Sequence, residues 1–248
     1  MTEDSRPNRN SSWARPVSKL ATADLPAGAV NLNVSGRQVV GPLQGFGQLW
    51  QKSYQVRLSG AGVSPVEVVR VWKANFPSFW PQGNKFYGPL TGIQPGEVAV
   101  LNLAGPAGIS GPGGVPVIST GVLVIYADDE SFSFMTPQGH MFAAIITFSA
   151  YDDEGTVAQV QALVRANDPL YELAFRLGFG HTMEDEFWQQ TLRNLAAHFG
   201  VKGQVGQKVT LVDSRVQWSQ AKNIWHNAAI RTALYMPVVL VRRLFKRR

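Results

Sequence analysis

The stretch GHTMEDEFWQQTLRNLAAHFG, residues 180–200, gathers the side chains that could do chemistry in this sequence. His181 and Glu184 stand three residues apart, so on a helix they would share one face and could bind a metal ion or exchange a proton. Asp185 and Glu186 add two carboxylates. The chain has no cysteine, and its four histidines are scattered, so nothing nearby completes a metal site. We therefore predict no metal, no cofactor and no catalytic residue.

A helix start explains the same carboxylates without a site. Thr182 can cap a helix over residues 183–199, and acids in its first turn are favoured by the helix dipole. Behind them an apolar stripe recurs at helical spacing. The stripe consists of Phe187, Trp188, Leu192, Leu195 and Phe199.

His140, in TPQGHM, is interpreted as a turn or rim histidine rather than as a base.

Composition limits the class of protein. The absence of cysteine excludes disulfides, cysteine-based zinc sites and thiol nucleophiles. The first 25 residues lack a signal-peptide core, and the apolar run at 233–241 is too short to span a membrane, which needs about 20 residues. We expect a cytoplasmic protein, with peripheral attachment at the inner membrane face as an open possibility.

Charge is distributed unevenly along the chain. The net charge is +4 over residues 1–59, −7 over 60–200 and +9 over 201–248. A cationic amphipathic segment with tryptophans suits a membrane interface. Packing against the domain or a partner is the alternative, and nucleic acid is disfavoured because no recognition motif is present. The expected membrane contacts are Trp218, Trp225, Arg242, Arg243, Lys246, Arg247 and Arg248.

Turn residues and hydrophobic patterns divide the chain into four parts. Residues 1–28 are predicted to be a disordered leader, 29–52 an N-terminal hairpin around Ser35-Gly36, and 53–200 a domain, followed by a helical tail over 201–248. Within the domain, the pattern predicts a strand at 53–58, a helix at 64–76, and a helix from Asp168 to Leu177. Further strands are predicted at 85–90, 97–103, 116–127, 131–137, 141–151 and 156–166.

This order resembles the START-like, helix-grip superfamily, which includes the polyketide cyclase/dehydrase-type proteins. The resemblance covers residues 53–200. It rests on SYQVRLSGAGVSPVEVVRVWKANFPSFWP, FSFMTPQGHMFAAIITFSAYDDEGTVAQVQALVRAN and MEDEFWQQTLRNLAAHFG. It implies an α+β fold in which a curved antiparallel sheet of about seven strands grips a long C-terminal helix around a hydrophobic cavity. No catalytic residue can be carried over from the family.

The implied function is binding or transport of a small hydrophobic or lipid-like ligand in that cavity. We expect a binding protein rather than an enzyme. A cyclase/dehydrase-like or hydrolase enzyme, and a ligand-free adaptor, remain alternatives, and the sequence does not indicate an oligomeric state. The expected cavity-lining residues are Phe79, Trp80, Phe86, Tyr87, Phe132, Phe134, Phe142, Ile146, Phe148, Phe187, Trp188, Leu192 and Leu195.

Overall fold

The computed structural model describes residues 12–22, 25, 28–88, 92–105, 108–111 and 116–246. Within the last helix, the side chains of residues 239, 240 and 242–246 are not described.

One antiparallel sheet dominates this part of the chain. Its strands run in the order β3-β4-β5-β6-β7-β8-β2-β9, and the short β1 pairs with β6. The central strands are joined by short turns between consecutive segments, so their register is set locally. The strands are β1 Val39–Val40, β2 Leu49–Arg57, β3 Lys85–Tyr87, β4 Val98–Leu103, β5 Ile118–Ala127, β6 Ser131–Pro137, β7 Phe142–Asp152, β8 Thr156–Ala166 and β9 Val205–Asp213.

Helices cover the sheet and begin where the sequence supplies caps. Ser64 accepts a hydrogen bond from Glu67 at the start of α1, and Asp168 caps α2 through two backbone N–H groups. α1 and α3 pack against the strands, α3 mainly against β2. The helices are α1 Pro65–Ala74, α2 Pro169–Arg176, α3 Phe179–His198 and α4 Ala228–Lys246, with 3-10 helices at Pro42–Gln44, Phe76–Phe79 and Trp218–His226.

The predicted helix-grip fold class is confirmed: the structure is α+β, with a large curved antiparallel sheet and a long helix against it. One face of β8 belongs to the core: Ala158, Val160, Ala162 and Val164 alternate along the strand and are all buried. A second apolar cluster lies on the opposite face of β4 and β5. It includes Leu20, Val34, Val98, Val100 and Leu123.

The predicted start of α3 is wrong. The helix begins at Phe179, after Gly178 in the left-handed conformation (φ 85°), and has no acidic residue in its first turn. Gly180, which suggested a break, lies inside the helix. A Cβ there would stand 2.8 Å from the Phe175 ring, so the glycine allows α2 and α3 to pack closely. The dipole explanation for the carboxylates of Glu184 and Asp185 therefore fails.

The predicted N-terminal parts also differ. Residues 29–52 form no hairpin, because β1 pairs with β6 and residues from Leu49 onward already belong to β2. The leader is ordered over residues 12–22, where Trp13 bridges Tyr126 and Leu20 is buried. These apolar side chains are separated by polar residues, so the sequence of the leader has no periodic pattern that would predict its packing. Residues 1–11 lie outside the described part.

The tail is not wholly helical, and the sheet has nine strands in the described part of the chain, rather than about seven. β9 pairs with β2 over eight residue pairs. Two asparagines bind the 3-10 helix Trp218–His226 to the domain. Asn223, within this helix, donates to Asn167 at 2.9 Å, and Asn227, directly after it, donates to Asp168 at 2.8 Å. The first turn of α4 is then held against β5, where Thr232 accepts from the Ser119 backbone.

Candidate functional site

The predicted lining residues lie mostly in one aromatic layer between the sheet, α1 and α3. Tyr87 is the exception, because it packs with the cluster on the opposite face. Phe86 and Phe187 are partly buried at the margin of the layer. The buried members are Phe79, Trp80, Phe132, Phe134, Phe142, Ile146, Phe148, Trp188, Leu192 and Leu195.

Two aromatic residues that the predicted set omits stand at the centre of this layer. The Phe76 ring lies 5.1–5.8 Å from the rings of Trp80, Phe86, Phe132, Phe134 and Phe148, mostly edge to face. Trp72 lies 5.4 Å from Phe148 and 6.0 Å from Phe132. Trp72 falls on the buried face of α1 with Val68 and Val69.

Polar atoms remain without partners in this interior. The indole Nε1 atoms of Trp72 and Trp80 are buried and have no hydrogen-bond acceptor among the described residues. Buried indole N–H groups usually find a partner, and an unsatisfied one calls for an explanation such as an absent ligand or water.

A buried charge cluster of Lys52, Tyr54, Glu184 and Asp185 lies where α3 crosses β2. Lys52 Nζ is 2.8 Å from Glu184 Oε2 and 2.7 Å from Asp185 Oδ1, and the lysine side chain is fully buried. Tyr54 donates to Asp185 Oδ1 at 2.7 Å. Both carboxyl oxygens of Glu184 are buried and neither accepts a hydrogen bond in the described part of the chain, so the contact with Lys52 is an ion pair. The cluster thus holds one cation against two carboxyl groups.

The two carboxyl groups differ in environment. Burial raises the pKa of Glu184, and the charge of Lys52 only partly opposes this. Burial also disfavours the ionised form of Asp185, but hydrogen bonds from Lys52, Tyr54 and Gln207 outweigh it and hold that pKa below its usual value. Asp185 is therefore the satisfied partner of Lys52, and Glu184 is the surplus acid.

An open groove of about 500 Å³, here called the α2–α3 groove, adjoins this cluster. In it His181 stands edge to face with Trp50 at 4.9 Å and with Phe175 at 4.7 Å. Burial and the charge of Lys52 lower the pKa of His181 to about 4, so its imidazole is neutral at pH 7. The groove is lined by Gln48, Trp50, Glu172, Phe175, Arg176, Gly178 and His181.

A second groove of about 580 Å³, the distal groove, lies at the other end of α3. It is formed by the chain after β2 and by the α3–β9 connection, including Arg57, Gly60, Phe199, Lys202 and Gln204. None of the predicted ligand-lining residues lines either groove.

The tail residues predicted to meet a membrane are only partly described. Trp218 and Trp225 are exposed, and the Trp218 ring touches Phe46. The side chains of Arg242, Arg243 and Lys246, together with Arg247 and Arg248, lie outside the described part. Among the helices searched, none is long and apolar enough to cross a membrane.

The searched residues contain no group of three or more metal-binding side chains. Sequence reasoning missed two members of the buried charge cluster, Lys52 and Tyr54. Their signal was present, because both share the inward face of β2 with Val56. It was overlooked because the strand was expected to begin at Ser53.

No family model matches the chain, and neither does any curated protein. Similar solved structures include Ms6760 from Mycobacterium smegmatis, which is 14% identical with a TM-score of 0.39. The alignment covers 61% of this chain and 90% of Ms6760. The KanY protein (ms6282) is 10% identical, with coverages of 62% and 99% and a TM-score of 0.42. Major latex-like protein 151 from Panax ginseng is 11% identical, with coverages of 62% and 99% and a TM-score of 0.37. Similarity at this level carries no argument about function.

Proposed function

We propose that the chain binds a small, mostly apolar molecule that enters through the α2–α3 groove and contacts the aromatic layer beneath α3. The groove is the observation that carries this proposal. Its volume of about 500 Å³ falls in the range of about 300–1,000 Å³ usual for ligand sites. Trp50, Phe175 and the neutral His181 give it aromatic walls beside the polar side chains of Gln48, Glu172 and Arg176.

The interior supports the same function. The unpartnered indole N–H groups of Trp72 and Trp80 lie among apolar rings, where an acceptor on a bound molecule could satisfy them. On this proposal, the predicted lining residues of the aromatic layer, such as Phe134, Phe148 and Trp188, contact the apolar part of the ligand.

A pair of matched substitutions tests the groove. Gln48→Trp fills the α2–α3 groove, and Gln204→Trp fills the distal groove to a similar extent. Binding of Nile red, an uncharged fluorescent dye, should be lost in the first variant and kept in the second. Equal binding by both variants, or no binding by the wild type, would contradict the proposal. Thermal unfolding monitored by circular dichroism verifies that both variants are folded.

A ligand-free adaptor is the second candidate, and the close edge-to-face packing around Phe76 favours it. A photoactivatable diazirine derivative of decanol separates the two. Crosslinks to residues 179–198 and to the aromatic layer, located by mass spectrometry, support an interior ligand. Crosslinks confined to the outer surface support the adaptor.

The enzyme alternative requires at least two free ionisable groups in the pocket. In the α2–α3 groove, Glu172 and Arg176 form an ion pair, with Nε 2.9 Å from Oε1. His181 is thus the remaining ionisable residue among those lining the groove, so binding is the function that the geometry favours.

We further propose that α4 attaches the protein to an anionic membrane surface. Ile230, Leu234, Val238 and Val241 are exposed and recur at helical spacing, which forms an apolar stripe. The sequence from 242 to 248 contributes five basic residues, and a cationic end beside an apolar stripe complements anionic lipid.

Vesicle co-sedimentation tests the attachment. The protein should sediment with vesicles made of equal parts phosphatidylcholine and phosphatidylglycerol, and less with pure phosphatidylcholine. The double substitution Leu234→Glu and Val238→Glu should abolish sedimentation, whereas Leu173→Glu on the exposed surface of α2 should not. Loss in both variants, or in neither, would refute a specific role for α4.

A further inference from the structure

The buried charge cluster is not balanced within the chain. Lys52 offers one positive charge at 2.7–2.8 Å to two carboxyl groups. Asp185 also receives hydrogen bonds from Tyr54 and Gln207. A buried carboxyl group that shares its cation with a second acid and accepts no hydrogen bond is costly, so Glu184 needs a donor from elsewhere.

Neither carboxyl oxygen of Glu184 accepts a hydrogen bond from the described residues. Oε2 lies 2.8 Å from Lys52 Nζ, which leaves Oε1 as the oxygen for an outside donor. The side chain of Glu184 is 2% exposed, so water has little access to it. A hydroxyl group can both donate and accept a hydrogen bond.

The α2–α3 groove leads towards this cluster. Trp50 lines the groove, and Lys52 is the next inward-facing residue on the same strand. His181 lines the groove, and Glu184 lies one turn further along the same helix. On both β2 and α3, the residue that lines the groove is therefore the nearest same-face neighbour of a cluster residue. The effect of Lys52 on the pKa of His181 agrees with this closeness.

We propose that Glu184 recognises the polar head of the ligand, and that this head is a hydrogen-bond donor, a hydroxyl or a protonated amine, on an apolar body. The inference rests on the proposed binding function and adds the class of ligand. A carboxylate head would place a further acidic group beside two carboxyl groups that already share a single buried lysine, whereas a hydroxyl or ammonium group supplies the donor that Oε1 lacks.

One feature of the groove favours the opposite preference. Arg176 lines the groove and is half exposed, so its guanidinium could attract an anionic head. Glu172 already pairs with it through Nε, and Glu172 also accepts a hydrogen bond from the Gln48 backbone. We therefore expect the surplus acid, not the paired arginine, to decide the preference.

Three probes with one chain length test the inference by isothermal titration calorimetry: decan-1-ol, decylamine and decanoate. The wild-type protein should bind the alcohol and the amine at least about tenfold more tightly than decanoate, which corresponds to about 1.4 kcal/mol. Tightest binding of decanoate would overturn the inference in favour of Arg176.

Variants of Glu184 identify the group responsible. Glu184→Leu should remove the preference for donors, whereas Glu184→Gln should retain the alcohol through its amide oxygen and lose the amine. Glu186→Gln, an exposed acid on the same helix, is the matched control and should behave as wild type. Equal selectivity in Glu184→Leu and Glu186→Gln would overturn the inference. Binding of all three probes without preference would refute the head-group assignment but leave the binding function standing, while binding of none would refute both.

Discussion

Replacing Lys52 with Met should be among the most damaging substitutions in the sheet. The change keeps the length and volume of the side chain but leaves Glu184 and Asp185 without their buried cation. Removing one partner of a buried ion pair costs about 3–5 kcal/mol, a large part of the roughly 5–15 kcal/mol that stabilises a domain. Glu184→Gln removes only the surplus acid, so its free energy of unfolding should stay within about 1 kcal/mol of wild type.

Urea unfolding at pH 7, followed by tryptophan fluorescence, measures both effects. The exposed residues Lys202 and Glu186 provide controls in Lys202→Met and Glu186→Gln. The double variant Lys52→Met with Glu184→Gln should recover part of the stability, because a single carboxylate then remains. The reasoning is refuted if Lys52→Met costs no more than Lys202→Met, or if Glu184→Gln is as damaging as Lys52→Met.

The free energy of unfolding should also depend on pH through Glu184. Because the folded pKa of Glu184 lies above its ordinary value of 4.5, the folded state holds a proton that the unfolded state has released. The stabilisation from this group is complete below pH 4.5 and is lost as the pH rises through the folded pKa. Glu184→Gln should remove this decline, and an unchanged slope would show that Glu184 is not the group involved.

Three further substitutions follow from the packing. Burial lowers the pKa of His140 from 6.5 to about 4. The unfolded state therefore takes up a proton first as the pH falls, and the free energy of unfolding should drop by about 3 kcal/mol between pH 6.5 and pH 4. In an acid titration followed by circular dichroism, His140→Gln should show a smaller drop. Arg165→Met removes a buried guanidinium that pairs with the partly exposed Asp213 at 2.7 Å and donates to the backbone of Arg215. It should lower the free energy of unfolding in urea and speed hydrogen exchange in β9; unchanged exchange would contradict this role. Gly180→Ala should lower the melting temperature, despite the better helix propensity of alanine, because its Cβ would meet the Phe175 ring at 2.8 Å; a higher melting temperature would contradict the close packing.

The parts of the fold that sequence predicted well are those with a local signal. The alternation in β7 and β8 predicted the strand bounds to within one residue, and the caps Ser64 and Asp168 located the starts of α1 and α2. The failures are non-local. β1 pairs with β6, nearly 100 residues away in the sequence, and Leu20 packs beside Val34 and Val98. No periodic pattern in the sequence predicts these contacts.

The candidate site shows the same division. The α3 stripe was predicted correctly as apolar and inward-facing, since Trp188, Leu192 and Leu195 are buried. The buried ion pair of Glu184 was not predicted, because interaction with the helix dipole already explained a carboxylate near the expected helix start. Only the contact with Lys52 on β2 shows that Glu184 belongs to a buried charge cluster. A lysine on the inward face of a strand resembles a surface residue until the helix that covers it is known.

β9 explains why Lys52 can remain buried. Without it, β2 would be the edge of the sheet beyond β8, and the backbone around Lys52 would face solvent. Instead Lys52 is aligned with Val209, and Gln207 reaches Asp185 from the same strand while accepting a hydrogen bond from Gln189. The residues after 200, expected from their charge to be an appendage, thus complete the environment of the buried cluster. A domain cut at residue 200 would lose the strand that separates this cluster from water, so the functional unit extends at least to the end of β9.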